Sequence, residues 1–180
     1  MGIQKLRIYD FDTVEEHNLA NQGYYLHEIG YKKCEALRER LSLGTGAEII
    51  AECRKFEKDE EIKEDYVISA VDNMSSRSDI WKSFFRSDNP RYFLDGRMGA
   101  REGSAYFVDK TQPSTIGRYN KSLFPDNEAV QLPCTEKSTI FCAYGISSII
   151  GALIAKSITG DEMNYSVDLD LTNLHVNRVV

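Results

Sequence analysis

The fold is decided by the stretch Leu6-Arg-Ile-Tyr-Asp-Phe-Asp-Thr-Val-Glu-Glu-His-Asn-Leu-Ala-Asn-Gln22, which runs from a short apolar strand into a polar loop. The strand stops at two acids, Asp10 and Asp12, and the loop behind them carries amides such as Asn18. In α/β proteins, ligands bind beyond the carboxyl ends of the strands, where an acid accepts hydrogen bonds from ribose hydroxyls. The stretch therefore indicates a ribose site, although Asp also ends strands because it suits turns.

Two later segments also place charged residues at the ends of elements. The run Gly30-Tyr-Lys-Lys-Cys-Glu-Ala36 opens a helix, with Lys33 near its start. The run Tyr66-Val-Ile-Ser-Ala-Val-Asp-Asn73 is a nearly continuous apolar strand, as in a parallel sheet buried on both faces, and it is closed by an acid. Asp72 suits Mg²⁺, which takes one or two carboxylates together with phosphate oxygens. The same residues also fit an Asp-Asn turn or an N-cap before Ser75.

These pieces follow one another along the chain in a characteristic order: Asp10/Asp12, Asn18-Leu19-Ala20-Asn21-Gln22, Gly30-x-x-Lys33 and Asp72-Asn73. The set resembles the ThiF/MoeB/E1-like family of ATP-dependent adenylyltransferases, and the resemblance continues through Gly151. It implies an α/β fold with a Rossmann-like open mixed sheet flanked by helices. It also implies activation of the C-terminal carboxylate of a ubiquitin-like or sulfur-carrier protein, with ATP and Mg²⁺, by a homodimer.

The resemblance assigns roles to individual residues. Asp10 binds the ribose, Lys33 brings positive charge to the phosphates, and Asp72 holds Mg²⁺ through them. The residues implied to bind ATP are Asp10, Asp12, Asn18, Gln22, Lys33, Asp72 and Asn73, and those implied in catalysis are Asp72, Lys33 and Cys134. Cys134 precedes a long helix, where some relatives place the thiol that takes the activated acyl group. A helix N-terminus lowers a thiol pKa, but a structural cysteine fits this position equally well.

Two features depart from the family's pattern. The loop arginine that contacts ATP phosphates is Asn21 in this sequence. In a Rossmann unit the acid follows G-x-G-x-x-G by about 20 residues, whereas only nine residues precede Asp10 and Gly2 is the only glycine among them. We therefore expect residues 1–180 to form a single nucleotide-binding domain whose first β-α unit is missing. Either the chain starts inside a longer protein, or a divergent protein never had the unit.

Composition narrows the class of protein. A hydrophobic content of 42% and a charged content of 28% are those of a soluble globular domain. The net charge of −6, with scattered Lys and Arg, argues against a nucleic-acid partner. The four cysteines, which share no C-x-x-C spacing, are Cys34, Cys53, Cys134 and Cys142. This spacing predicts neither a zinc knuckle nor a disulfide framework. It therefore favours a cytoplasmic location. The uncharged segment Ser138–Ala155 reaches only the lower length limit of a spanning helix, and its serines and glycines indicate a buried helix without a membrane.

The remaining pattern alternates strands and helices, as in an open α/β sheet. The predicted strands are Leu6–Tyr9, Ala47–Cys53, Tyr66–Val71, Arg91–Leu94, Ser104–Val108 and Asn164–Leu171. The predicted helices are Gly30–Leu43, a helix capped by Ser75 or Ser76 that ends near Ser87, and Thr135–Ile158. The segment Gln112–Leu132 is predicted to be irregular. Arg97 either points into the site or pairs with Asp95 or Glu102.

Two other functions remain open. A non-catalytic interaction module of the same fold is favoured by Asn21 and by the missing glycine loop. A Rossmann oxidoreductase that uses NAD is permitted by Asp10, but it leaves Lys33 and Asp72-Asn73 unexplained. Pyrophosphate exchange separates the enzyme from the interaction module, and tight NAD binding without ATP binding indicates the oxidoreductase.

Overall fold

A computed structural model describes residues 2–128 and 139–179, in two compact units, Met1–Glu57 and Lys58–Val180. The strands are β1 (Lys5–Tyr9), β2 (Glu48–Glu52), β3 (Tyr66–Ser69), β4 (Tyr92–Met98), β5 (Glu102–Asp109), β6 (Ser166–Asp170) and β7 (His175–Val179). The helices are α1 (Leu19–Gln22), α2 (Lys33–Gly44), α3 (Met74–Arg86), α4 (Pro113–Lys121) and α5 (Ile140–Thr159). Short 3-10 turns occupy Glu16–Asn18, Leu26–Glu28 and Asp126–Glu128.

The first unit is built on a parallel strand pair. β1 and β2 run side by side with Ile8 opposite Ala51, and α2 supplies the crossover that a parallel pair needs. The helix begins at Lys33, later than the predicted Gly30. Gly30 has a φ of +91°, which lies outside the helical region and is open to glycine because it has no Cβ.

The second unit is a five-stranded sheet in the order β3-β4-β5-β6-β7. β3 and β4 are parallel and every later pair is antiparallel, so the predicted mixed sheet is confirmed. β4 continues beyond the predicted Leu94 to Met98, because it pairs with β5 along its whole length. The edge strand β7 was not predicted; its residues are exposed throughout, so no apolar alternation reveals it.

Helices cover both faces of this sheet. Side chains of a strand point alternately to opposite faces, so Leu94 of β4 joins α5 in one core while Phe93 meets the aromatic side chains of α3 and α4 on the other face. The buried core on the α5 face consists of Leu94, Ala105, Phe107, Leu153, Ile154 and Val167. A Cβ at Gly145 of α5 would lie 2.5 Å from Leu169, so glycine permits the close approach of helix and sheet.

The helix α5 is long and apolar enough to cross a membrane by length and composition, and it is the one such helix in the described part of the chain. It contacts β4, β5 and β6 through a face that includes Ile146 and Leu153, while Phe141 and Tyr144 are exposed. Only the sheet-facing side is buried, so the expectation of a buried helix is wrong for the rest of α5. Ile68 of β3 is 45% exposed, so the expectation that this strand is buried on both faces is wrong.

The helix α4 lies within the segment that was predicted to be irregular, so that prediction is wrong for Pro113–Lys121. Pro113 at its first turn suits a helix start. Tyr119 is fully buried against Trp81 and Phe93. The polar residues and Gly117 of this segment give no helical pattern of apolar residues in the sequence. The helix is stabilised by the tertiary packing of Tyr119.

A disulfide joins Cys34 and Cys53, whose Sγ atoms are 2.02 Å apart. Cys34 lies in the first turn of α2 and Cys53 directly follows β2. The expectation of no disulfide is therefore wrong, because a separation of 19 residues does not show that the fold brings these two thiols together. The cysteine spacing thus no longer supports a reducing compartment.

Candidate functional site

The acids that follow β1 form a tight turn at the carboxyl end of the strand. The backbone N–H of Asp12 donates to Oδ1 of Asp10 over 2.9 Å, and the N–H of Asp10 donates to the carbonyl of Glu52 over 3.2 Å. Asp10 is half-buried and Asp12 is exposed. Both acids therefore lie just beyond the carboxyl end of the strand, where an acid can bind a ribose.

Lys33 binds directly to this acid pair. Its Nζ lies 3.0 Å from Oδ2 of Asp12, and its backbone N–H donates to the carbonyl of Asp12 over 3.0 Å. The neighbouring Lys32 instead donates from Nζ to the carbonyl of Phe11. Lys33 is therefore a nearly buried, paired cation at the start of α2.

The amides of the next loop divide between structural and open positions. Asn18 is buried, and its Oδ1 accepts the N–H of Glu15 over 2.9 Å, so it shapes the loop. Gln22 is exposed at the end of α1. Oδ1 of Asn21 is buried and has no hydrogen-bond partner among the described residues. Asn21 therefore places an unsatisfied buried amide oxygen in this loop.

Arg40 supports the same loop, and sequence reasoning did not identify it. Its guanidinium lies over the rings of Tyr24 and Tyr25 and donates to the carbonyl of Gly23 over 2.8 Å. It also pairs with the buried Glu28 at 3.2 Å. Burial and then the neighbouring carboxylates raise the pKa of Tyr24 to about 12, so this ring stays neutral. No local pattern marks Arg40, because its contacts lie 12 to 17 positions earlier in the chain.

In the second unit, Asp72 and Asn73 follow β3 and have different roles. Asn73 caps α3: its Oδ1 accepts the N–H of Ser76 over 2.8 Å. The cap therefore lies two positions before the predicted Ser75 and three before Ser76. An Asn side chain is well suited to accept hydrogen bonds from the free amides of a first helical turn. Asp72 is exposed and accepts one side-chain hydrogen bond, from Nδ2 of Asn73 over 3.0 Å. Its carboxylate is therefore available at the carboxyl end of the strand.

A second acid reaches the start of α3 from far along the chain. Oδ1 of Asp126 accepts the backbone N–H groups of Met74 at 2.6 Å and Ser75 at 3.3 Å. Hydrogen bonds from Ser75 and Met74 hold the pKa of Asp126 below its ordinary value. The first amides of α3 are thus already satisfied by the protein.

Behind Asp72 lies a buried ionic cluster around Asp95. Arg97 is 2.7 Å from this carboxylate, which confirms the pairing alternative over the cleft. Arg77 of α3 is 2.8 Å from it and was not identified from the sequence. Two features of the sequence could have pointed to Arg77. An acid, Asp95, interrupts an apolar strand, and Arg77 precedes the apolar residues Ile80, Trp81 and Phe84 at helical spacing.

The two remaining cysteines differ in what the structure says of them. Cys134 lies outside the described residues. Cys142 is buried in α5, where burial raises its thiol pKa and its Sγ contacts the carbonyl of Glu102 at 3.5 Å. A thiol of raised pKa is a poor nucleophile, so Cys142 is structural.

The donor set fits a nucleotide and Mg²⁺ in part. Asp10 offers a carboxylate for ribose hydroxyls and Lys33 a cation for phosphate, both in the first unit. Asp72 offers the hard oxygen that Mg²⁺ prefers, in the second unit. The described residues contain no group of three or more acids, histidines or cysteines that could hold a metal by themselves. Such an ion would have to be shared with phosphate oxygens.

Two sheets flanked by helices, with acids beyond the carboxyl ends of β1 and β3, are the features of a Rossmann-like fold. Residues 1–179 match the model of the ThiF family, so the chain belongs to that family. The resemblance read from the sequence is thereby confirmed. Comparison with curated protein sequences gives no significant match.

Solved structures show the same fold at low sequence identity. The structure of PaaA is 15% identical with a TM-score of 0.67, covering 97% of this chain and 63% of PaaA. MccB of E. coli, crystallised with MccA, is 14% identical with a TM-score of 0.71, covering 98% of this chain and 56% of MccB. MccB with ATP is 13% identical, with the same TM-score and coverage. The chain thus spans less than two thirds of each of these proteins.

Proposed function

We propose that this chain is the nucleotide-using part of an ATP-dependent adenylyltransferase. Its substrate is the C-terminal carboxylate of a ubiquitin-like or sulfur-carrier protein. The observation that carries the proposal is the Asp12–Lys33 contact, which holds an ammonium group two residues beyond Asp10 at the carboxyl end of β1. Membership in the ThiF family supports the same reaction class.

In the proposed reaction, a carboxylate oxygen of the partner attacks the α-phosphorus of ATP. The bond from that phosphorus to the bridging oxygen breaks, and pyrophosphate leaves with the electron pair. The product is an acyl adenylate. Structures of MccB with ATP and with MccA support an ATP-using reaction on a second component.

The protein contributes positioning and charge. Asp10 accepts hydrogen bonds from the ribose, and Lys33, oriented by Asp12, faces the phosphates. Asn18 keeps the loop in shape through Glu15, which leaves Gln22 as the exposed amide of the loop.

In the second unit, Asp72 would supply the oxygen that holds Mg²⁺, and Nδ2 of Asn73 donates a 3.0 Å hydrogen bond to it. For any later transfer of the acyl group to a thiol, we propose Cys134 as the acceptor, since burial disfavours the thiolate of Cys142. Cys134→Ala should then spare adenylate formation and block thioester formation.

The direct test is ATP–pyrophosphate exchange with Asp72→Asn. The change removes the negative charge that binds Mg²⁺ and keeps the side-chain volume, so exchange should be abolished without loss of fold. The acceptors are ubiquitin-like and sulfur-carrier proteins with Gly-rich tails, and a C-terminally amidated tail controls for carboxylate dependence. Asp79→Asn is the matched variant, because Asp79 is an acid of α3 whose salt bridge, to Lys82 at 3.7 Å, lies at the surface. Unchanged exchange in Asp72→Asn contradicts the assignment.

A non-catalytic interaction module is the second candidate function, and Asn21 favours it. An amide carries no charge to balance the negative charge that develops on the phosphoryl group. This module should bind the carrier protein equally well with and without ATP in calorimetry. Binding of NAD but not ATP in the same assay would indicate the oxidoreductase. The homodimer that the family resemblance implies is tested separately, by analytical sedimentation of the protein.

A further inference from the structure

Asp95 is a fully buried carboxylate, and its side-chain hydrogen bonds to the described residues come from two arginines and a tyrosine. Its Oδ1 accepts from Nε of Arg77 at 2.8 Å, and its Oδ2 accepts from Nε of Arg97 at 2.7 Å and from the hydroxyl of Tyr119 at 3.0 Å. Asp95 lies on β4 and Arg77 on α3, so the pair links the sheet to the helix that follows the candidate site.

The outer edge of Arg77 holds the backbone on both sides of Asp72. Nη2 donates to the carbonyl of Val71 over 2.6 Å, and Nη1 approaches the carbonyl of Asn73 at 3.5 Å. One guanidinium therefore connects a buried acid to the two peptide groups that flank an exposed acid. A planar fork with several fixed donors can make these contacts together, whereas an ammonium group is a single point charge.

Stability alone does not account for this arrangement. Removing two charges from water costs several kcal/mol, and apolar side chains of similar volume often replace a buried ion pair without loss. The contacts of Arg77 do something that apolar packing cannot, because they hold two carbonyl groups of the turn that carries the exposed Asp72.

We propose that Arg77, oriented by Asp95, is a positioning residue that sets the location of the Asp72 carboxylate. This role rests on the proposed function of Asp72 as a magnesium ligand. Arg77 itself would not contact the ligand, because it is buried beneath Asp72. It would act only by holding Asp72 in place.

Arg97 provides an internal control of the same chemistry. It binds the other oxygen of Asp95, but its Nη atoms donate to the carbonyl and hydroxyl oxygens of Ser122, at 2.9 and 3.0 Å. Its guanidinium also lies over the ring of Tyr106. The two arginines thus share one acid, and only Arg77 extends to residues 71–73 through the contacts described.

The experiment compares Arg77→Lys with Arg97→Lys in the protein that carries this chain. Both variants keep the positive charge next to Asp95 and should lower the melting temperature. We expect Arg77→Lys to reduce kcat for pyrophosphate exchange by ~10–100-fold, the range that misplacement by about 1 Å produces, and to raise the Mg²⁺ concentration for half-maximal rate. Arg97→Lys should leave both values within about twofold, since its contacts do not reach Asp72. Equal losses of kcat in the two variants overturn the proposal.

A second readout does not depend on activity. Backbone ¹⁵N relaxation should show the order parameter of the Asp72 amide falling from about 0.85 toward 0.6 in Arg77→Lys and not in Arg97→Lys. If the parent protein shows no exchange at all, the proposed function fails while relaxation still decides the positioning role. If Arg77→Lys does not fold, Asp95→Asn takes its place, because it keeps the volume and weakens the hold on Arg77. An unchanged order parameter at Asp72 overturns the proposal.

Discussion

Each unit places a cation in the first turn of a helix and binds it to an acid, but the two acids differ in exposure. In the first unit, the side chain of Lys33 is 10% exposed and that of its partner Asp12 is 50% exposed. In the second unit, the corresponding values are 5% for Arg77 and 0% for Asp95. The exposed acid can yield its cation to a ligand, and the buried one cannot.

This difference assigns the two cations to different tasks. Water screens the Asp12 carboxylate, so the contact with Lys33 contributes little free energy and a phosphate can compete for the ammonium group. Asp95 has lost its water and is satisfied by three side chains, so its loss leaves buried charge uncompensated. We therefore propose that the first pair contacts the ligand and that the second pair positions Asp72.

The largest expected effect is on the buried pair. Asp95→Ala leaves Arg77 and Arg97 without their acid and should lower the free energy of unfolding by about 3–5 kcal/mol. The fluorescence of Trp81, the single tryptophan of the chain, follows urea unfolding of the second unit specifically. Asp79→Ala is the control and should cost less than about 1 kcal/mol, because its pair with Lys82 is exposed. A loss below about 1 kcal/mol in Asp95→Ala removes the distinction between the two pairs.

The strand ends were the predictable part of the molecule. Apolar runs that stop at Asp10 and Asp72 place these acids at the carboxyl ends of β1 and β3 without any tertiary knowledge. The order of motifs likewise predicted the family, and through it the mixed sheet. Asn73 as a helix cap was one of the alternatives left open, since Asn before a helix is a local signal.

Contacts between distant residues were not predictable in the same way. Asp12 meets Lys33 across 21 positions and Arg77 meets Asp95 across 18, and in both cases the fold brings them together. The helix around Tyr119 was missed for a related reason, because its residues have weak helix propensity and its stability comes from packing. The local sequence pattern located the candidate ligand-binding residues. Their partners are determined by the tertiary structure.

The disulfide provides the next largest effect, and it is confined to the first unit. The double variant Cys34→Ala/Cys53→Ala should lose about 3 kcal/mol, as expected for a cross-link that closes a loop of this length. Hydrogen exchange of the β1 and β2 amides should accelerate accordingly, while unfolding reported by Trp81 stays unchanged. Reductant should affect the parent protein and leave the double variant unaffected. Equal acceleration in both units would mean that they do not unfold separately.

The smallest effect is expected at Asp12, and it decides whether the comparison holds. Asp12→Asn keeps the volume and an oxygen that can accept from Lys33, and the flexible lysine stem can carry its ammonium group to water. The variant should therefore lose about 1 kcal/mol or less, measured by hydrogen exchange of the Lys33 amide, which donates to the carbonyl of residue 12. Because salt screens exposed charges, the difference from the parent should shrink between 0.01 and 1 M salt. A loss of about 3 kcal/mol that does not respond to salt would make this pair as structural as Asp95 and Arg77, and Lys33 could then not be released to a phosphate.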